Sequence, residues 1–254
     1  MADPAPSTDP GMGFLEHLDE LRSWLFRVAI VFVVFLAGCW WVSDRILAFL
    51  LKPIRDHLLG DGAIIFIALT EPFMVYMKAS AIAALFLSAP FILWQFWGFV
   101  APGLYKKERR AGGLFIVAGT IFFVAGGAFA YYVALPITAR WLLTLGAQFK
   151  AQLTLQSAFE FESRMLVGAG LVFEMPIVIL VLSRFGIVTP GFLMRHFRMA
   201  VMVIAIAAAV VTPSGDALTM TVFALPMIAL YLLGVGFSWL ASKPAAGKPT
   251  SPWA

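Results

Sequence analysis

The chain has 254 residues, of which 61% are hydrophobic and only 13% charged, with a mean hydropathy of +0.92. A soluble domain sits near half apolar and a quarter charged, and one core of this length cannot hide so much apolar surface from water; a water-soluble globule is excluded. The net charge of +4 does not point to nucleic acid, because the basic residues lie in short segments between apolar blocks of about 20 residues, where they act as orientation signals. Cys39 is the single cysteine and lies inside the first block, and His17, His57 and His196 are far apart, so neither a disulfide nor a metal site is expected. GxSxG, HExxH and paired-carboxylate signatures are absent from the sequence. Neither an enzyme activity nor a cofactor is expected on that ground.

Residues 1–12, with three prolines and no basic side chain, do not resemble a signal peptide and read as a disordered leader. A membrane domain over 13–241 and a disordered tail over 242–254 follow. Phe14, Leu18, Leu21 and Leu25 form one helical stripe, predicting an interfacial helix that runs into span one, Trp24 to Val42. Ser43 to Pro72 mixes charges with short apolar runs and is expected to form an ordered external cap. Span two covers Phe73 to Phe99, with Lys78 snorkelling and Pro90 kinking the helix. After the basic loop Leu104–Arg110, span three covers Gly112 to Pro136, and an amphipathic connection reaches Arg164. Span four is Met165 to Leu182. Span five, Met199 to Val211, has about 20 Å of helix, less than a bilayer core. Joined by the turn TPSGD to span six (Ala217 to Leu240, with Pro226 inside), it predicts a short or shallow hairpin. The fold class is therefore all-α and polytopic, with six transmembrane helices. Counting Lys and Arg gives 11 on the N-terminal side of the membrane and 7 on the other, which puts both termini in the cytoplasm.

Three features exceed what orientation and burial require. Glu174 lies ten residues from both Arg164 and Arg184, near mid-bilayer, where an ionised group costs roughly 3 kcal/mol or more. It must be neutral, paired or beside a wet cavity, and Pro176 is expected to open the helix next to it. The loop LYKKERR holds one acid, Glu108, that orientation does not need. HLDELR, residues 17–22, places Glu20 and Arg22 where the chain enters the membrane.

Together HLDELR, SAPFILWQFWGFVAPGLYKKERR (88–110), FEMPI (173–177) and TPSGD (212–216) resemble the TatC family, in order and approximate spacing, over about residues 14–240. That family supplies the receptor and core subunit of the twin-arginine protein translocase. The resemblance implies a concave, glove-like six-span fold in the inner membrane, with Glu20 and Glu108 receiving the Arg-Arg pair of a folded cargo's signal peptide. Guanidinium groups dock on carboxylates in a planar, bidentate way that lysine reproduces poorly. The four cations flanking Glu108 should keep it ionised. Arg22, Phe99 and Pro102 match positions lining this surface, Pro53 and Phe73 match residues of the external cap, and Glu174 matches the intramembrane glutamate. The implied partners are TatA-like and TatB-like single-span proteins, contacting Thr212, Asp216 and Thr219, in homo- and hetero-oligomers driven by a proton gradient. Two departures stand out. Trp24 replaces a basic residue of the first motif, with Arg27 nearby, and Leu218, Thr219 and Met220 replace the polar pair after the turn. The competing reading is a six-span proton-coupled secondary transporter using Glu174; the lack of an internal repeat in the sequence argues against it.

Overall fold

The computed structural model describes residues 12–58, 62–100 and 112–241, with side chains for 22–58, 62–98 and 112–240. Five of its helices are long and apolar enough to cross a bilayer, and a sixth, shorter one is equally apolar. The first, α1 (Met12–Trp40), makes the expected interfacial segment and span one a single continuous helix. Two short helices, α2 (Ser43–Leu50) and α3 (Lys52–Arg55), begin the cap, with Pro53 in the first turn of α3, where its missing amide costs nothing. Strand β1 (Ala63–Ile65) then leads to α4 (Glu71–Val100), which carries Pro90 internally.

Helix α5 (Gly112–Phe129) does not end at Pro136. It passes through a π-helical turn, Ala130–Ala134, into α6 (Leu135–Leu145). Pro136 cannot donate to the carbonyl four residues back, and the widened turn absorbs that loss. Strand β2 (Gln152–Thr154) pairs in parallel with β1, Ile64 opposite Leu153, so the segment after span three joins the cap. The amphipathic connection is thus mostly helix: α7 (Leu155–Phe173) starts ten residues before the expected Met165, with the Thr154 hydroxyl accepting from the Ser157 amide as its N-cap. The ladder breaks at Glu174 and resumes as α8 (Met175–Arg184), with Pro176 in its first turn. Gly186, at φ 72°, closes α8 with the Ile187 amide reaching back to Leu182.

A short α9 (Pro190–Arg195) precedes α10 (Phe197–Val211) and α11 (Ala217–Ala241). Helix α10 has 15 residues, about 22 Å at the helical rise, so the fifth span is short as expected. The shortness is confined to it, since α11 is long enough to cross.

One apolar core runs from the cap (Leu47, Leu51, Ile54) through Val75 of α4 and Phe159 and Met165 of α7 to Phe223 and Met227 of α11. Close approach relies on small residues, as in membrane bundles generally. A Cβ on Gly126 of α5 would fall 2.5 Å from the Ala169 carbonyl oxygen of α7, and one on Gly234 of α11 3.2 Å from Pro176 Cα of α8. By contrast α1 packs along α4 and leaves Leu25, Ile30, Val33 and Val34 exposed.

Candidate functional site

The packing of α1 on α4 sets which parts of the two helices lie level. Trp40 meets Phe73 edge-on at 5.7 Å, while Val31 and Phe35 line one cleft with Leu87, Phe91 and Trp94. The two helices therefore run antiparallel. Continued toward the N-terminus, that register brings HLDELR level with the last turns of α4, where the chain leaves toward LYKKERR. Glu20 lies on the backbone of α1 and Phe99 on that of α4, but their side chains fall outside the described residues, as do Pro102 and Glu108 entirely. Arg22 is exposed, its guanidinium 5.7 Å from the centre of the Phe26 ring. Arg27 turns back one helical turn to Ser23, donating to its carbonyl and its hydroxyl.

Glu174 sits at the break between α7 and α8, its carbonyl accepting from the amides of Ile177 and Val178. Its carboxyl presses against α5 at Gly119: a Cβ there would lie 3.2 Å from Oε2 and 3.1 Å from Leu93 Cδ1. Oε1 is buried with no hydrogen-bond partner among the described residues. The bare glycine thus makes the notch that admits the carboxyl, a feature that the sequence pattern did not single out.

At the turn between α10 and α11, Gly215 takes φ 61°, the left-handed conformation that glycine adopts without strain. Asp216 caps α11. It accepts from the Thr219 amide at 2.9 Å, the Thr219 hydroxyl at 2.6 Å and the Ser214 hydroxyl at 2.6 Å. Burial raises the affinity of this carboxyl for a proton, but the hydrogen bonds from Ser214 and Thr219 outweigh it and hold the group below the ordinary aspartate range. Thr212 donates to the Ala208 carbonyl, and both threonines are buried. Their hydroxyls are spent on shaping the turn.

On the cap side, Pro53 is buried and its carbonyl meets His57 Nδ1 at 2.8 Å, whereas Phe73 is half exposed beside Trp40. Lys78 does more than snorkel. It pairs with Glu160 at 3.0 Å across α4 and α7, an exposed contact that contributes about 0–1 kcal/mol. Glu71, not anticipated from the sequence, is 5% exposed and accepts from the amides of Ile67 at 3.0 Å, Ala68 at 3.4 Å and Gln156 at 2.6 Å. One carboxylate thereby fastens the cap, the start of α4 and the start of α7.

Five helices of spanning length, a sixth short apolar one and a carboxyl at the break between α7 and α8 define a polytopic helical membrane protein. A family model described as "Sec-independent protein translocase protein (TatC)" matches residues 16–226. The chain is 39% identical over 255 residues to the Sec-independent protein translocase protein TatC of Koribacter versatilis, covering 93% of each. It is 36% identical over 221 residues to that of Helicobacter pylori strain J99, covering 86% of each, and 32% identical over 236 residues to TatCy of Bacillus subtilis, covering 92% of this chain and 91% of that one. A crystal structure described as the twin arginine translocase receptor TatC superposes with a TM-score of 0.78 at 29% identity, over 89% of this chain and all of that one. The chain belongs to the TatC family and is a component of a Sec-independent protein translocase, a six-span, glove-shaped membrane protein with a transport role.

Proposed function

We propose that this chain is the receptor and core subunit of a twin-arginine translocation system in the inner membrane, with both termini cytoplasmic. Glu20 and Glu108 grip the Arg-Arg pair of a folded cargo's signal peptide, and Arg22, Phe99 and Pro102 shape the surface around them. The observation that carries this reading is the antiparallel packing of α1 on α4, which favours meeting of the two acid-bearing segments at one rim. TatA-like and TatB-like single-span helices pack against α10 and α11, oriented by the Thr212–Asp216–Thr219 turn rather than bonded to its occupied hydroxyls. Glu174, poised against Gly119, serves the apolar part of the signal peptide or the proton-driven step, and Pro53 and Phe73 act through the cap.

The test is site-specific cross-linking of an Arg-Arg signal peptide to the protein in native membranes. Removing either charge-assisted contact costs about 1.5–3 kcal/mol, so Glu20→Ala and Glu108→Ala each lower the yield about tenfold or more while membrane insertion is unchanged. A Lys-Lys signal peptide that cross-links as well as the Arg-Arg one contradicts the bidentate docking.

A further inference from the structure

The most anomalous group in the described residues is Glu162. The stripe that α7 turns into the core is Ala158, Phe159, Glu162, Met165, Leu166 and Ala169, so an acid occupies a position that helical periodicity reserves for an apolar side chain. It is 0% exposed, and neither carboxyl oxygen has a hydrogen-bond partner among the described residues. An ionised carboxylate without a partner in such surroundings is prohibitively costly, whereas the neutral acid is tolerable.

The neighbours do not supply a counter-charge. Of the elements packed against α7, α5 has no titratable residue. On α4, Lys78 holds Glu160, Glu71 is committed to three amides, and Tyr76 lies near Asp44 of α2. Tyr231 of α11 donates to the Leu193 carbonyl, and Arg198 of α10 is exposed. The π-turn, which also packs against α7, carries Tyr131 and Tyr132, and the Tyr131 hydroxyl donates to the Phe49 carbonyl of α2 at 2.7 Å. Tyr131 and Leu166, which is one turn beyond Glu162 on the same face, also line a cavity of about 450 Å³ that runs past Phe49 to Arg45 of the cap helix α2. Glu162 thus lies one helical turn from a residue that walls this apolar cavity, and two residues along α7 from the exposed Lys78–Glu160 pair on the cap side.

We propose that Glu162 is a proton-binding site on the cap side of the protein, distinct from Glu174. It is loaded in the packing seen here and can release its proton only when α7 parts from the π-turn. Cap-side acidity is thereby tied to the packing of α7. No bond other than O–H is made or broken. The link to export rests on the proton-driven translocase reading, but the protonation itself does not.

The two are separated by measuring each. Infrared spectroscopy of the full-length protein in liposomes at neutral pH is expected to show a carboxylic-acid carbonyl band that Glu162→Gln removes and Glu174→Gln retains. A Glu162→Gln spectrum identical to wild type in that region means that Glu162 is ionised, and overturns the site whatever the protein exports. In export of a folded reporter, Glu162→Gln, permanently neutral and of the same shape, is expected to insert normally but largely lose transport, with Glu162→Asp restoring most of it. Wild-type export by the Gln variant overturns the coupling and leaves the receptor reading intact. Should the Gln variant fail to insert, the Asp variant decides by infrared alone: a shifted band supports the site and an unshifted one refutes it.

Discussion

At the scale of single residues, acids are what set this protein apart from an inert bundle, and each is held in a different way. Asp216 is partly buried and stabilised in its charged form by the hydrogen bonds of its cap. A folded-state value below the ordinary one, about 3.9, means that its contribution is complete above that pH and disappears as the pH falls through the folded value. The thermal midpoint of the purified protein should therefore drop in this acidic window more steeply for wild type than for Asp216→Asn, and Asp216→Ala should cost about 1 kcal/mol at neutral pH. Parallel acid profiles for wild type and the Asn variant contradict the cap. Glu174 is held sterically. Gly119→Val forces branched methyls into a space where even a Cβ is 3.2 Å from the carboxylate, which should destabilise by about 1–3 kcal/mol, while Gly119→Ala is milder. An unchanged midpoint for the valine variant places the carboxyl elsewhere.

At the scale of elements, the cap and the two irregular spans carry the design. Glu71 satisfies three amides from two segments far apart in sequence. Glu71→Ala leaves those donors without their acceptor and should cost about 2 kcal/mol or more, with hydrogen exchange rising together at residues 67–68 and 156. Exchange confined to 67–68 contradicts a shared fastening. This coupling was not legible in the sequence, because the partners are 85 positions apart and the acid precedes a proline as an ordinary helix start does. The break at Glu174 was legible, since Pro176 withdraws an amide beside a mid-span acid. The passage of span three beyond Pro136 was not: a proline reads as a stop, and the π-turn that accommodates it leaves no periodic mark over five residues. Likewise Glu160, Glu162 and Arg164 made the start of α7 look like a connection, when one acid is paired at the rim, one is buried in the core stripe and the arginine is exposed.

At the scale of the whole molecule, the number of spans, the short fifth helix and the family followed directly from apolar block lengths and four ordered motifs. The proposed meeting of HLDELR with LYKKERR is of another kind, since no pattern in either segment encodes it; it rests on the antiparallel seating of α1 on α4. The exposed apolar face of the first span is a surface on which other helices could pack, as the proposed assembly from several subunits requires. The most direct measurement places cysteines at the two acids, Glu20→Cys with Glu108→Cys, after Cys39→Ser removes the single native thiol. In membranes, a short thiol-reactive cross-linker is predicted to join them, and an Arg-Arg signal peptide to protect them where a Lys-Lys peptide does not. Thiols that label singly yet never join, or that label from opposite faces of the membrane, contradict the account.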